Sequence, residues 1–494
     1  MKKLKIALCA SEAVPYAKAG GLGDVIGALP KVLEKLGCEV QLFLPKYSMI
    51  SDDVFKLKYN WKVGELPVQS NGKQCEAHLY QGTLPGTTVK VNFIYCAHAH
   101  DNRWIYTNDP DENERFIVFN MGVMEMMKRL KWKPDIIHAN DWPTGLLPLY
   151  LKTKYANDPF FAETRSVLTI HNIGYPGKFG SETVNKAGLS YDHFYPGGDY
   201  EFYGMFSFLK VGLLNADKIT TVSETYAQEI LTPEFGSGFD GILQVRKPDL
   251  VGILNGADYD IWDPAIDPLL PVNYTLSTLD RKQQIKKELQ EMVRLPAQPG
   301  VPLIGMISRM VSQKGFHLVE KLMPQLMTMN LQMIILGSGD PGIEKRFKDF
   351  QYQYPEKLSV HLGYDNQLSH LIEAASDVFL MPSLYEPCGL NQIYSLRYGT
   401  VPIVRKTGGL ADTIIDWGES LLSGKKNGNG FSFSNPHPEA LLDAIRRALL
   451  VYYNPGEWRQ IQTNGMTADF SWERSAGKYL ELYRQLAGES EEGA

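Results

Sequence analysis

Four short stretches of the chain hold residue types that can act on a phosphorylated or sugar ligand. The first is Lys18-Ala19-Gly20-Gly21-Leu22-Gly23-Asp24. Its glycines let a ligand approach the backbone. A helix start there offers unpaired N–H groups and a positive dipole end, and the lysine adds a point charge suited to phosphate. No Gly-Lys-Ser/Thr follows as in a Walker loop. Ten residues, Ser11–Gly20, separate the glycines from the preceding strand, unlike a dinucleotide fingerprint. Taken alone, the stretch fits an anion site or a structural turn. The second, Ser308–Gly315, places Arg309 and Lys314 in a strand-to-helix loop. A guanidinium fork and an ammonium at a strand's C-terminal end suit a diphosphate, and they also fit two solvated surface cations.

The third stretch, Ser383–Gln392, joins a strand to a helix read as Gly389–Arg397. Glu386 can reach a sugar hydroxyl or cap the helix, while the helix amides can take a phosphate. Cys388 has no base beside it in the sequence, which argues against a nucleophilic role. The fourth comprises His138-Ala139-Asn140-Asp141-Trp142 and His171-Asn172, each after a strand. Histidines there can bond a sugar or be satisfied inside the protein. No His-x-x-x-His or compact carboxylate cluster suggests a metal, and Asp109, Asp111, Glu112 and Glu114 read as a solvated loop.

Alternating strands and helices must position these loops. Strands are expected at Ile6–Ala10, Val40–Leu44, Val89–Tyr95, Ile136–Ala139, Ser166–Ile170, Ile219–Val222 and Val251–Leu254. In the second half they are expected at Leu303–Ile307, Met333–Leu336, Ser359–Leu362, Val378–Met381 and Val401–Val404. Helical periodicity lies between them, as in Val25, Ile26, Leu29, Val32, Leu33 and Leu36, or in Gly315–Met329 and Asn366–Ala375. This pattern predicts an α/β protein with two parallel sheets covered on both faces. A loop-forming run follows Asn255-Gly256, so the first domain is taken as 1–257 and the second as 258–469. The segment 470–494 is helical in pattern until Gly488–Ala494, which reads as frayed and acidic. Lys18–Leu22 is echoed by Lys406-Thr407-Gly408-Gly409-Leu410, with Asp24 and Asp412 each two residues on. This suggests two related halves that each present a glycine-rich helix start.

A chain of 494 residues exceeds the roughly 300 at which single cores stop growing. With 44% hydrophobic and 21% charged residues it is globular, and its net charge of −6 argues against a general nucleic-acid binder. Five scattered cysteines form neither a disulfide framework nor a zinc cluster, which points to a reducing cytoplasm. Signal-peptide and membrane-span signals are not seen.

Taken together the stretches resemble the bacterial glycogen synthase and plant starch synthase family. The matching segments are Lys18–Asp24, His138–Trp142, Thr169–Asn172, Asn255-Gly256, Ser308–Gly315, Gly363-Tyr364, Glu386–Leu390 and Lys406–Asp412, in that order. The resemblance implies the GT-B fold: two Rossmann-like domains facing a central cleft, the last helix crossing back to the first domain. It implies transfer of glucose from ADP-glucose to the non-reducing 4-OH of an α-1,4-glucan with retention, with UDP-glucose as the alternative donor. No cofactor, metal, nucleic acid or membrane is expected.

The family's roles carry over as follows. His171, Arg309, Lys314, Glu386 and Asp141 would be catalytic. Lys18, Gly20, Gly21, Asp24, His138, Asn255, Tyr364, Cys388, Gly389, Leu390 and Asn391 would bind substrate. Lys18 and the amides of Gly20 and Gly21 would face the donor phosphates, and Tyr364 would lie near the adenine. Ala19 stands where the family usually has threonine or valine. Relatives with a Glu-x7-Glu signature need an acid at Tyr394, which favours the glycogen and starch synthase branch. A catalytically silent glucan-binding scaffold would be expected to have lost Lys18, Arg309, Lys314 and Glu386, and all four are present.

Overall fold

The computed structural model describes residues 3–70, 73–101, 103–107 and 109–488. It divides into two compact units, one running to Asn255 and completed by the segment from Trp472 on, the other Gly256–Ser471. Residues 489–494, most of the stretch read as a frayed end, lie outside the described residues.

In the first unit, parallel strands follow the order Leu250–Gly252, Lys218–Thr221, Arg165–Ile170, Ile136–Asn140, Lys5–Cys9, Glu39–Pro45 and Lys90–Tyr95. The expectation of an all-parallel sheet fails at one edge. Lys73–Thr83 pairs antiparallel with Lys90–Tyr95, and Leu66–Ser70 and Lys58–Tyr59 pair antiparallel with Lys73–Thr83. The connection from Thr83 to Lys90 is hairpin-sized, far too short for the crossover that parallel pairing needs. A small second sheet joins Lys178–Phe179, Met205–Ser207 and Glu201–Phe202.

The central strand shows why both faces are covered. Ile6 and Leu8 belong to one buried cluster, with Leu22, Val25 and Leu29 of helix Gly21–Lys35 and with Trp472, Tyr479 and Tyr483 of the final helix Trp472–Leu486. Ala7 and Cys9, pointing the other way, belong to a second cluster with Phe116, Phe119 and Val123 of helix Glu112–Arg129. Burying Trp472, Tyr479 and Tyr483 contributes about 1.5–3 kcal/mol apiece.

Glu112–Arg129 also corrects the reading of the acidic run as a solvated loop. Asp111 takes both Arg103 amino groups at 2.8 Å, Glu112 is buried and accepts from the Thr107 amide at 2.6 Å, and Glu114 pairs with Lys186 at 2.8 Å. Acids in a helix's first turn complement its dipole.

The second unit has one parallel sheet in the order Leu358–Leu362, Gln332–Gly337, Leu303–Ile307, Val378–Met381, Val401–Arg405 and Phe431–Phe433. Alternate residues again divide between two clusters: Ile304, Met306, Met333 and Ile335 on one side, Leu303, Ile334 and Leu336 on the other. Among the described residues no helix is long and apolar enough to cross a membrane.

Open α/β sheets bind ligands at strand C-termini where the strand order reverses. In the first unit that point lies between Lys5–Cys9 and Ile136–Asn140. The loops there hold Glu12, Lys18 and Asp141, and His171 directly follows the next strand, Arg165–Ile170. In the second it lies between Leu303–Ile307 and Val378–Met381, whose loops hold Arg309, Lys314 and Glu386.

Candidate functional site

In the first unit the chain leaves Cys9 and loops back to the helix start at Gly21. The buried Glu12 carboxylate organises this loop. Its Oε2 accepts from the amides of Ala19 at 2.5 Å and Gly20 at 2.9 Å, and its Oε1 accepts from the Tyr106 hydroxyl at 3.0 Å. The Gly20 amide, expected to face a phosphate, is therefore engaged internally. Gly21 is exposed with open space where a Cβ would point. Lys18 Nζ lies 2.8 Å from Asp24 Oδ1 in a largely exposed pair, which contributes little and leaves the ammonium easily redirected. Glu12 was missed in the sequence because a single acid after a strand carries no pattern.

Asp141 sits at φ 56°, ψ −175°, a region that is almost exclusively glycine's and costs a non-glycine residue about 1–3 kcal/mol. Its Oδ1 accepts from the backbone amides of His171 at 2.7 Å and Asn172 at 3.3 Å, so the strained residue ties two strand ends together. Burial raises its carboxyl to about 7 against the pull of those two amides, and the negative charge of Glu12 pushes the same way as burial.

The His171 ring is fixed by Asn140, whose amide donates to the carbonyl of Cys9 at 3.0 Å and turns its Oδ1 toward His171 Nε2 at 2.9 Å. Nε2 therefore carries the proton and Nδ1 keeps a lone pair. Burial lowers the ring to about 3, so it is neutral at physiological pH. Asn140 is a positioning residue that sequence reading passed over.

His138, expected to bind substrate, is instead a core residue. It is wholly buried, with Nδ1 2.7 Å from the Tyr483 hydroxyl and Nε2 2.5 Å from Thr169 Oγ1, so neither nitrogen is left for a ligand. Asn255 is also buried, and its Oδ1 has no partner among the described residues, an acceptor left over for a donor.

In the second unit Ser312–Lys314 forms a single 3-10 turn ended by Gly315 at φ 74°. A Cβ at Gly315 would stand 2.0 Å from the Pro382 carbonyl oxygen, so only glycine lets the two loops meet. Leu384 N–H donates to the Gln313 carbonyl at 2.7 Å, and Gln313 Nε2 donates to the Tyr385 carbonyl at 3.3 Å. These bonds bring Lys314 Nζ to 2.6 Å from Glu386 Oε2, which also accepts from Ser383 Oγ at 2.9 Å. Glu386 is buried, whereas Arg309 is exposed and its guanidinium has no partner among the described residues.

The helix after Glu386 starts at Asn391, two residues later than expected, because Gly389 takes φ 71°. Leu390 caps it, and Asn391 Nδ2 donates to the Ile307 carbonyl at 3.1 Å, tying the helix start to the neighbouring strand end. Cys388 is buried. The echoed glycines are also buried: a Cβ at Gly408 would meet the Glu386 carbonyl oxygen at 2.0 Å, and one at Gly409 the Cys388 carbonyl oxygen at 2.2 Å. This second copy shapes the Glu386 loop by close packing and does not present a free helix start.

Tyr364 is 78% exposed, its hydroxyl bonded to Asn366 at 3.0 Å. It borders a cavity of about 540 Å³ along the edge strand Leu358–Leu362, which Arg309, Lys314 and Glu386 do not line. No group of three or more metal-ligating side chains occurs among the described residues.

Two sheets with chemistry at both switch points suit a two-domain glycosyltransferase of the GT-B class, and it is comparison with known proteins that shows it. The starch synthase catalytic domain model matches residues 5–245, and the glycosyl transferases group 1 model matches 288–460. Glycogen synthase of Syntrophotalea carbinolica is 45% identical over 98% of this chain and 99% of its own length. That of Thermotoga maritima is 43% identical with the same coverage. The catalytic domain of starch synthase IV from Arabidopsis thaliana, solved bound to ADP and acarbose, superposes with a TM-score of 0.91 at 33% identity, covering 99% of this chain and 100% of that one. The chain belongs to the glycogen synthase and starch synthase family.

Proposed function

We propose that the protein elongates an α-1,4-glucan, transferring glucose from ADP-glucose to the non-reducing 4-hydroxyl with retention of configuration. The observation that carries this reading is the second unit's switch point. Arg309, whose guanidinium has no partner among the described residues, and Lys314, whose ammonium pairs with Glu386, stand on one strand-end loop, with Glu386 on the adjacent one. The pair of cations suits a leaving diphosphate, and the buried carboxylate beside them suits sugar hydroxyls.

The reaction is a same-face substitution. The acceptor O4 bonds to the glucose C1 as the bond from C1 to the β-phosphate oxygen breaks, and the O4 proton passes to that phosphate oxygen. Arg309 and Lys314 stabilise the charge growing on the diphosphate, and Lys18 supplies a further cation. Neutral His171 offers its Nδ1 lone pair to a sugar hydroxyl, held in that tautomer by Asn140. Strained Asp141 fixes the His171 backbone. Gly21, Asn255, Tyr364, Gly389 and Leu390 are proposed to line the substrate, with the domains divided as 1–257 plus 470–494 and 258–469. The five cysteines, scattered along the sequence, are in keeping with a cytoplasmic enzyme.

The deciding assay offers glucose-labelled ADP-glucose and UDP-glucose separately with glycogen and counts label in the polymer. Transfer from ADP-glucose well above UDP-glucose is expected. Preference for UDP-glucose overturns the donor assignment, and transfer from neither overturns the reading.

A further inference from the structure

Outside the loops described above, the first unit spends stability on an exposed aromatic ring. Strands Glu201–Phe202 and Met205–Ser207 form a hairpin with Glu201 opposite Phe206 and Phe202 opposite Met205. The two-residue turn is Tyr203-Gly204, with φ 51° and 80°. Positive φ at both central positions defines the tight hairpin turn that prefers Asn-Gly, because a bulky side chain at the first position is strained. Tyrosine holds that position, and its side chain is 73% exposed. The residue thus pays in backbone strain and in exposed apolar surface, and neither helps folding.

The surroundings hold the ring still. A Cβ at Gly238 would lie 2.7 Å from the Tyr203 hydroxyl oxygen and 2.9 Å from Cε2, so the ring rests against a stretch of backbone bare of side chain. Behind it, Phe202 packs edge-on against Tyr203 with centroids 4.7 Å apart, and Phe202 stacks on buried Phe239 at 4.1 Å. The Glu201 carboxylate fixes the turn from the other side, accepting from the amides of Gly204 and, at 2.8 Å, Gly197. Gly197 belongs to the loop bearing Tyr195, itself 57% exposed. One carboxylate therefore braces two loops that each carry an exposed tyrosine.

We infer that Tyr203, with Tyr195 on the adjoining braced loop, is a stacking platform for glucose rings of the glucan acceptor, outside the reacting site. A glucopyranose ring has a face of C–H bonds that settles on a flat, electron-rich aromatic face. A rigid ring needs little ordering when it binds. This rests on the glucan-elongating reading.

The test uses the full chain, Tyr203→Asn and Tyr203→Phe, and calorimetric titration with maltoheptaose and with maltose in the absence of donor. Tyr203→Phe keeps the stacking face and binds maltoheptaose as the parent does. Tyr203→Asn suits the turn better, so its melting temperature should hold or rise by about 2–4 °C. Its maltoheptaose affinity should fall by about 2- to 10-fold, with a matching rise in the glycogen KM and none in the donor KM. Equal maltoheptaose affinity in the parent and Tyr203→Asn overturns the platform. So does a lowered melting temperature with unchanged affinity, which makes Tyr203 a packing residue. If the parent chain binds no maltoheptaose, the glucan reading itself fails, a result distinct from a parent that binds and a variant that binds equally.

Discussion

Replacing Lys314 with alanine tests both the chemistry and the architecture of the second unit. Its ammonium lies 2.6 Å from Glu386 Oε2, with the two side chains 18% and 8% exposed. Removing one partner of a fully buried ion pair costs about 3–5 kcal/mol, mostly from the charge left behind. Here Ser383 Oγ still donates to Glu386 at 2.9 Å and Lys314 is reached by some water, so a loss of about 2–3 kcal/mol is expected. The ion pair makes some loss of stability unavoidable in that single variant. Lys314→Ala with Glu386→Gln removes the stranded charge and should return stability to within about 1 kcal/mol of the parent. Turnover should not return. Loss of a preorganised cation costs about 10²–10³-fold, and the amide cannot replace it. Urea unfolding of the parent, Lys314→Ala and the double variant gives stability, and label transfer to glycogen gives turnover. The reasoning is refuted if Lys314→Ala keeps turnover within about threefold, under 1 kcal/mol of barrier. It is refuted equally if the double variant is no more stable than Lys314→Ala.

Three further outcomes are expected. Burial raises Asp141 from 3.8 to about 7, so the folded chain keeps a proton that the unfolded chain has released. Its contribution is fully present below about pH 4 and is lost as pH rises through 7. Asp141→Asn mimics the protonated form and should remove that part of the decline, and parallel stability curves from pH 4 to 8 would contradict it. Tyr483→Phe strands His138 Nδ1 in the core and should cost about 1–3 kcal/mol in chemical unfolding, while an unchanged midpoint would show that the bond contributes nothing. Gly315→Ala forces a Cβ into the Pro382 carbonyl and should cost about 3 kcal/mol while displacing Lys314, so normal stability with normal donor KM would remove the steric argument.

The sequence made the loops legible because strand ends are legible. Short apolar runs such as Leu303–Ile307 and Val378–Met381 are the strands observed, and the residues after them are the ones at the switch points. Sequence could not show which polar side chains face inward. His138 and His171 look alike in the chain, each following a strand, yet one has both nitrogens tied up in the core and the other is aimed by Asn140. Glu12 carries no periodic signal, and its role appears only when the chain folds back to place Ala19 and Gly20 over it. The two copies of the glycine motif are equally indistinguishable until close packing at Gly408 and Gly409 separates them. The strands Lys178–Phe179 and Glu201–Phe202 are two residues long, too short for any alternation to emerge.

The final helix gives the first unit a debt that is settled late in synthesis. Leu22, Val25 and Leu29 share a cluster with Trp472, Tyr479 and Tyr483, so one face of that unit stays bare while the intervening residues are being translated. Gly256–Ser471 holds its own sheet and core. The half begun earliest therefore cannot close its core until the last-made segment reaches it.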